Sequence, residues 1–263
     1  MLKSWSVFIV AILCSISSLE AQNRNVDWDP ELTEVWEPVP EMVTPVVNGQ
    51  PPEDAIVLFD GENMDQWEMF SPQALDDPDD PNRTVQPAEW TVENGVMTVE
   101  PGTGDIMTRQ SFGDIQLHIE WRTPEVIDGD GQGRGNSGVF LQGLYEVQVL
   151  DSYDNPTYPN GQAGSIYKQT IPMVNASLPP GEWQTYDIFY EAPVFRDDGS
   201  LVKPAYVTVI HNGVLIHHRV KIEGPTVFTG LPEYEQHPEK LPLRLQDHGD
   251  LVSFRNIWVR ELR

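Results

Sequence analysis

Cysteine is nearly absent: Cys14 is the only one in 263 residues. With one thiol the chain can build neither a disulfide framework nor a Cys-based metal site, so its core must hold by burial alone. Basic residues are also scarce, 16 Lys and Arg against 41 Asp and Glu, for a formal charge of -25. Such a chain repels phosphate backbones, which argues against a nucleic-acid partner. No apolar run approaches the length of a membrane span, and no stretch repeats its apolar residues at helical spacing. Stable membrane insertion is therefore not expected, and neither is a helix of any length.

What the chain does contain begins with an export signal. Lys3, the apolar run Val7 to Leu13 and the small-residue end Leu19-Glu20-Ala21 read as a signal peptide over residues 1–21, cleaved after Ala21. A lipoprotein signal would need small residues before Cys14, where Ile12 and Leu13 stand. The mature protein is expected to be secreted or periplasmic. Residues 22–54, rich in Pro, Glu and Val without a steady period, read as an extended arm lying on the domain. Residues 55–263 read as one β-rich domain.

Within that domain the strands follow from period-two alternation. Ile56 to Phe59 is a strand, and Trp90 to Val99 is a hairpin turned by Asn94-Gly95, whose residues supply the positive φ of a type I′ turn. Ile115 to Arg122 sends Ile115, Leu117, Ile119 and Trp121 to a core and Gln116, His118, Glu120 and Arg122 outward. Trp183 to Tyr190 and Tyr206 to His211 alternate too, and Asn212-Gly213 turns the latter into Val214 to Val220. Leu241 to Leu245 is a strand, and Val252 to Arg260 closes the chain with Phe254 and Trp258 inward. Phe70 to Gln86, centred on Asp76-Asp77-Pro78-Asp79-Asp80-Pro81, reads as a loop with nothing to pack. Many hairpin-linked strands predict an all-β, antiparallel two-sheet sandwich of the jelly-roll kind.

The most informative stretch is Gly135 to Gln148. Val139 to Leu141 and Tyr145 to Leu150 flank a turn at Gly143, and the second run puts Tyr145, Val147 and Val149 on one face and Glu146, Gln148 and Leu150 on the other. A carboxylate and an amide on one face beside Asn136-Ser137 suggest a ligand-facing row; an ordinary solvated face is the alternative. Tyr153 to Pro180, long and loop-like, is expected to be a wall or lid. His248 has the residue type for proton transfer near neutral pH, although Asp247-His248-Gly249 also reads as a turn. Asp128-Gly129-Asp130 starts like a calcium loop, but Val139 occupies the twelfth position, where such a loop needs Glu.

Taken in order, Leu58-Phe59-Asp60-Gly61, Glu120-Trp121-Arg122, Asn136-Ser137-Gly138-Val139-Phe140, Tyr145-Glu146-Val147-Gln148, Gly164-Ser165-Ile166-Tyr167, Gly181-Glu182-Trp183 and Leu245-Gln246-Asp247-His248-Gly249 resemble the 3-keto-disaccharide hydrolase domain family over roughly Ala55 to Arg263. Gln142 and Gln184 depart from residues common at those positions. The resemblance implies a concanavalin A-like lectin/glucanase sandwich whose concave sheet binds sugar. It also implies cleavage of glycosides already oxidised at C3, with an oligosaccharide or glycoside as substrate and a separate sugar 3-oxidoreductase acting upstream.

Under that resemblance, Glu146 and His248 are the expected catalytic pair, and Glu120, Arg122, Asn136, Gln148, Tyr167, Gln246 and Arg255 the expected substrate-binding residues. Glu120, Glu146, Gln148 and Gln246 should share one concave surface, while Trp121 and Trp258 belong to the core. For Arg122 and Arg255 a cross-strand ion-pair role is the alternative. No redox cofactor is expected, since a separate oxidoreductase would make the ketone and the chain is read as having no Gly-x-Gly-x-x-Gly nucleotide loop. A divalent cation, calcium or manganese, held by Glu146 and His248 is left open. Two other functions fit the same fold: a non-catalytic lectin-like domain, and a laminarinase-type glycosidase. The glycosidase needs two close carboxyl groups, and Asp151 falls on the wrong face of its strand to supply the second.

Overall fold

A computed structural model describes residues 29–262, so the expected signal peptide lies outside the described residues. Residues 29–42 form a unit of their own with a single 3₁₀ turn, Pro30–Thr33, capped by the Asp29 carboxylate, which accepts from Glu31 N at 3.2 Å. From Val43 onward the chain is a second unit. Its first residues join the sheet that follows: the Arg260 guanidinium holds both Asp54 carboxylate oxygens, at 2.6 and 2.8 Å.

Fifteen strands make up the second unit. They are β1 (Ile56–Phe59), β2 (Trp67–Met69), β3 (Thr91–Glu93), β4 (Val96–Thr98), β5 (Ile106–Phe112), β6 (Ile115–Arg122), β7 (Ser137–Leu141) and β8 (Tyr145–Val149). After a long loop come β9 (Gln184–Glu191), β10 (Val194–Phe195), β11 (Leu201–Lys203), β12 (Tyr206–His211), β13 (Val214–Lys221), β14 (Leu241–Leu245) and β15 (Ser253–Glu261). An eight-stranded sheet runs β13-β12-β9-β6-β15-β4-β3, with β1 also paired to β15; a five-stranded sheet runs β2-β5-β14-β7-β8. All these pairings are antiparallel. Among the described residues no helix is long and apolar enough to cross a membrane.

Alternation builds the layers. β6 is buried at every odd position, Ile115, Leu117, Ile119 and Trp121, and half-buried at every even one. Those residues meet Tyr145, Val147, Val149, Leu243 and Leu245 of the smaller sheet in one apolar cluster. The two sheets thus share a core, and the outward faces of the two sheets point apart. Both predicted type I′ turns are present, with φ of 53° and 79° at Asn94-Gly95 and 50° and 77° at Asn212-Gly213.

Four expectations need correction. Trp258 is buried but faces outward: between Arg255 and Trp258 the register of β15 slips, with Asn256 at φ 47°, and Trp258 stacks on His118 at 5.1 Å. Leu150 follows the end of β8 and enters the core instead of continuing the Glu146 row. Strand β5 lies where the sequence shows no alternation, because Ile106, Met107 and Thr108 are buried in succession. The Phe70 to Gln86 stretch does pack, through buried Ala74, through Leu75 against Gly143, and through the ion pair of Arg83 with buried Glu68.

Candidate active site

The hairpin β7–β8 turns at Gln142-Gly143, with φ of 51° and 65°, and its register fixes two rows across the outer face of the five-stranded sheet. Glu146 lies opposite Phe140, and Phe140 opposite Arg244 of β14; Gln148 lies opposite Gly138, and Gly138 O accepts from Gln246 N at 3.1 Å. Gly138 cannot carry a side chain, because a Cβ there would stand 2.7 Å from Glu146 Oε1 and from the Phe140 ring. These rows form the floor of a cavity of about 630 Å³, a size suited to a small glycoside.

The walls come from loops. Ile166 bridges to Val147, Gln148 N donates to Ser165 O at 3.0 Å and Tyr167 N to Glu146 O at 3.2 Å, so the segment after Tyr153 lies along β8 as a wall. On the same free edge of β8, Glu146 N donates to Thr226 Oγ1 at 3.0 Å. Covered in this way, β8 is buried on both faces, which removes the reading of an ordinary solvated face.

Burial sets the electrostatics. Glu146 is 4 % exposed, and loss of hydration pushes its carboxyl up to about 8, with Arg244 opposing the shift and Asp105 adding to it. The Arg244 guanidinium stacks over Phe140 at 3.7 Å and Phe70 at 4.7 Å, with its Nε 3.6 Å from Asp105 Oδ2. Burial pushes the Asp105 carboxyl up as well, against the pull of Arg244. Beside them, Gln148 Nε2 donates to Asn136 Oδ1 at 3.1 Å, and Asn136 Nδ2 donates to Gln132 O at 2.7 Å. Gln148 Oε1, fully buried at the cavity, has no partner. An orphaned acceptor is costly unless a ligand hydroxyl completes it.

Of the nine residues singled out in the sequence, Glu146, His248, Asn136, Gln148, Tyr167 and Gln246 line this cavity. Asp247 and Gly249 serve the turn that presents His248: the Asp247 carboxylate accepts from Gly102 N, Gly104 N and Gly249 N at 2.7 to 3.0 Å. Glu120, Arg122 and Arg255 do not belong here. They stand on the outward face of the eight-stranded sheet, where Arg255 binds Glu120 at 2.6 Å and both arginines stack on Trp183, at 4.6 and 4.1 Å. Alternation tells inward from outward but not which sheet a strand joins, so the single concave surface expected to hold Glu120 with Glu146 does not exist.

Arg244, Phe140, Tyr158 and Phe228 also line the cavity. Arg244 was legible, since Leu243 and Leu245 inward place it outward with Gln246; Tyr158 and Phe228 sit in loops without period. Gln142 and Gln184, the two departures, are structural: Gln142 donates to Glu239 O and accepts from Tyr190 Oη, and Gln184 is bonded to both backbone groups of Leu178.

A glycosidase dyad is not assembled, because Asp151 is taken by Arg134 at 2.7 Å and Glu146 is the acid in the lining. Among the described residues no three His, Cys, Asp or Glu side chains converge as a metal site, and Glu146 has a guanidinium for neighbour. The residues fit a divalent cation poorly. The loop at Asp128 to Gly135 is closed by Asn155, which bonds Gly131 N and O at 2.8 and 2.9 Å. The expectation that the chain has no Gly-x-Gly-x-x-Gly spacing is corrected by Gly133-Arg134-Gly135-Asn136-Ser137-Gly138, but this segment runs into strand β7, so no helix N-terminus is there to receive a phosphate.

Comparison with known proteins agrees with this fold. A structure of a candidate glycosyl hydrolase from Parabacteroides distasonis is 50% identical with a TM-score of 0.81, covering 89% of this chain and 97% of that one. A second P. distasonis structure of the same description is 21% identical with a TM-score of 0.55 over 80% and 95% of the two chains, and shares the fold. A 3-keto-disaccharide hydrolase of Bacteroides thetaiotaomicron is 24% identical over 79% of this chain and 78% of its own. Residues 54–260 match the family model for the 3-keto-alpha-glucoside-1,2-lyase-like domain. With a jelly-roll sandwich and a family model matched over most of its length, the chain belongs to the 3-keto-alpha-glucoside-1,2-lyase-like domain family.

Proposed function

We propose that the cavity cleaves glycosides whose sugar has already been oxidised at C3, by removal of the C2 proton and loss of the C1 substituent. The observation that carries this reading is Glu146, a buried carboxyl raised to about 8 beside the cationic Arg244. A C3 ketone acidifies C2–H, and a carboxylate with a raised pKa is a stronger base than an ordinary one. Glu146 takes the C2 proton, and Arg244 stabilises the charge that develops on the C3 oxygen. Gln148, through its unpartnered oxygen, Gln246 and Asn136 hold sugar hydroxyls. His248, exposed at the cavity, moves the proton of the water that later adds to the enone. The protein acts outside the cytoplasm, after a sugar 3-oxidoreductase has made the ketone.

Incubation with 3-keto-glucosides and their unoxidised parents tests this. Enone absorbance from the keto sugars alone is expected. Equal turnover of both sets would refute elimination and restore an ordinary glycosidase.

A further inference from the structure

The loops around Glu146 carry an aromatic rim that the chemistry above leaves unused. Tyr158, Tyr167 and Phe228 all face the cavity. The Tyr158 and Tyr167 rings lie 6.2 Å apart at 59°, with their hydroxyls joined at 2.6 Å. Tyr158 is fixed against Gly161, where a Cβ would come within 2.0 Å of the ring. Phe228, by contrast, is 75 % exposed, an unusual place for so large an apolar face. Lys168 ties the two sides together: its Nζ donates to Phe228 O at 2.7 Å and sits 3.8 Å from the centre of that ring.

The rim is anchored to Glu146 itself. Tyr167 N donates to Glu146 O, and Glu146 N donates to the Thr226 hydroxyl two residues before Phe228. A group leaving from C1, one bond from the C2 proton that Glu146 takes, therefore departs beside these rings. The rim presents ring faces, and its two tyrosine hydroxyls are engaged with each other; the amides that suit sugar hydroxyls lie deeper, at Asn136, Gln148 and Gln246. We infer that Tyr158, Tyr167 and Phe228 form a leaving-group subsite for an aromatic aglycone, making aryl 3-keto-glycosides the preferred substrates.

The inference rests on the elimination reading above and adds to it which group leaves. Glu146 carboxylate accepts the C2 proton, and the C–H electron pair passes into the enolate. The enolate then forms the C1=C2 double bond as the C1–O bond breaks and its pair departs on the phenolic oxygen. The phenolate takes the proton back from Glu146, leaving enone, phenol and the original carboxylate, with no oxidant or reductant consumed. A phenolate leaves without the strong acid assistance that an alkoxide needs, which suits a lining whose one carboxyl is already occupied as the base.

The test has two arms. In the first, calorimetry compares unoxidised phenyl and methyl glucosides, each anomer, and a glucose disaccharide, so that binding is read without turnover. Phenyl glucoside should bind about 3- to 10-fold tighter than methyl, in the range of an aromatic stacking contact. Phe228→Ala should bring the phenyl-to-methyl ratio near one, and Phe228→Trp should restore it; the exposure of Phe228 makes both changes harmless to folding. A preference that survives Phe228→Ala, or a disaccharide that gains as much as phenyl and loses as much in the variant, would overturn the subsite. In the second arm the 3-keto derivatives are turned over. Phenyl preference in binding without cleavage of any 3-keto sugar would refute the reaction while leaving the subsite standing, and cleavage without phenyl preference would do the reverse.

Discussion

The two outward faces of the sandwich carry the same residue types and treat them in opposite ways. On the eight-stranded sheet, Glu120 is held at about 2 by the His118 imidazole 3.8 Å away, helped by bonds from Asn256 and Arg255 against burial. Burial pulls His118 down, but its bond to Asp187, at 2.7 Å, and the Glu120 carboxylate 3.8 Å away outweigh it and keep the imidazole at about 9. Glu120, His118, Asp187 and Arg255 there are paired with one another. On the five-stranded sheet, Glu146 also has an arginine for neighbour, yet burial raises its carboxyl to about 8, because Arg244, stacked between two rings and turned to Asp105, opposes the rise without bonding to it. A satisfied Glu and Arg pair holds a sheet together; an unsatisfied one under loops is available for chemistry.

The largest expected effect separates the faces by rate. Glu146→Gln, nearly isosteric, should lower turnover of a 3-keto-glucoside by about 10²- to 10⁴-fold, the range for loss of a general base. Glu120→Gln should leave turnover within about twofold, and steady-state kinetics on both variants would expose a reversed order. Next comes Arg244→Met, expected to cost about 10²- to 10³-fold in kcat by removing stabilisation of the enolate oxygen. If only KM moved, Arg244 would be a binding residue.

Stability against pH gives smaller effects of opposite sign. Glu146 has a folded pKa above its unfolded value of 4.5, so its contribution is fully present below about pH 4.5 and is lost as pH rises through about 8. Glu146→Gln should therefore raise the unfolding midpoint relative to the parent at pH 8.5, by on the order of a few kcal/mol, and not at pH 4.5. For Glu120 the folded pKa is depressed, so its contribution is present above 4.5 and lost as pH falls toward 2. Glu120→Gln should destabilise by about 1–2 kcal/mol at pH 7 by leaving His118 and Arg255 underpaired. Urea unfolding at pH 4.5, 7 and 8.5 reads both, and parallel shifts in the two variants would erase the contrast between the faces. Least of all, Arg122→Ala should cost about 0.5–1 kcal/mol through its stack on Trp183, with no change in KM.

Most of the fold was legible in the sequence, because β6, β8, β12 and β14 alternate cleanly and two Asn-Gly turns fix the β3–β4 and β12–β13 hairpins. β5 was not, since Ile106, Met107 and Thr108 are buried in succession and Arg109 and Gln110 exposed in succession, so the strand shows no alternation. The site was half legible. Glu146, Gln148 and Gln246 follow from alternation, and Arg244 follows from the same rule. The partition of outward residues between two sheets does not, which is why Glu120, Arg122 and Arg255 were grouped with Glu146. Tyr158 and Phe228 are placed by the 153–180 and 224–237 loops, whose paths depend on hydrogen bonds to β8 that no local pattern encodes.

The raised carboxyl of Glu146 is most directly tested by the pH dependence of kcat/KM for a methyl 3-keto-glucoside. A base that must be ionised gives a rate that climbs with pH to a midpoint near 8, and in Glu146→Gln the residual rate should lose that rise. A midpoint near 4 to 5, or a rise that persists in Glu146→Gln, would contradict Glu146 as the buried base.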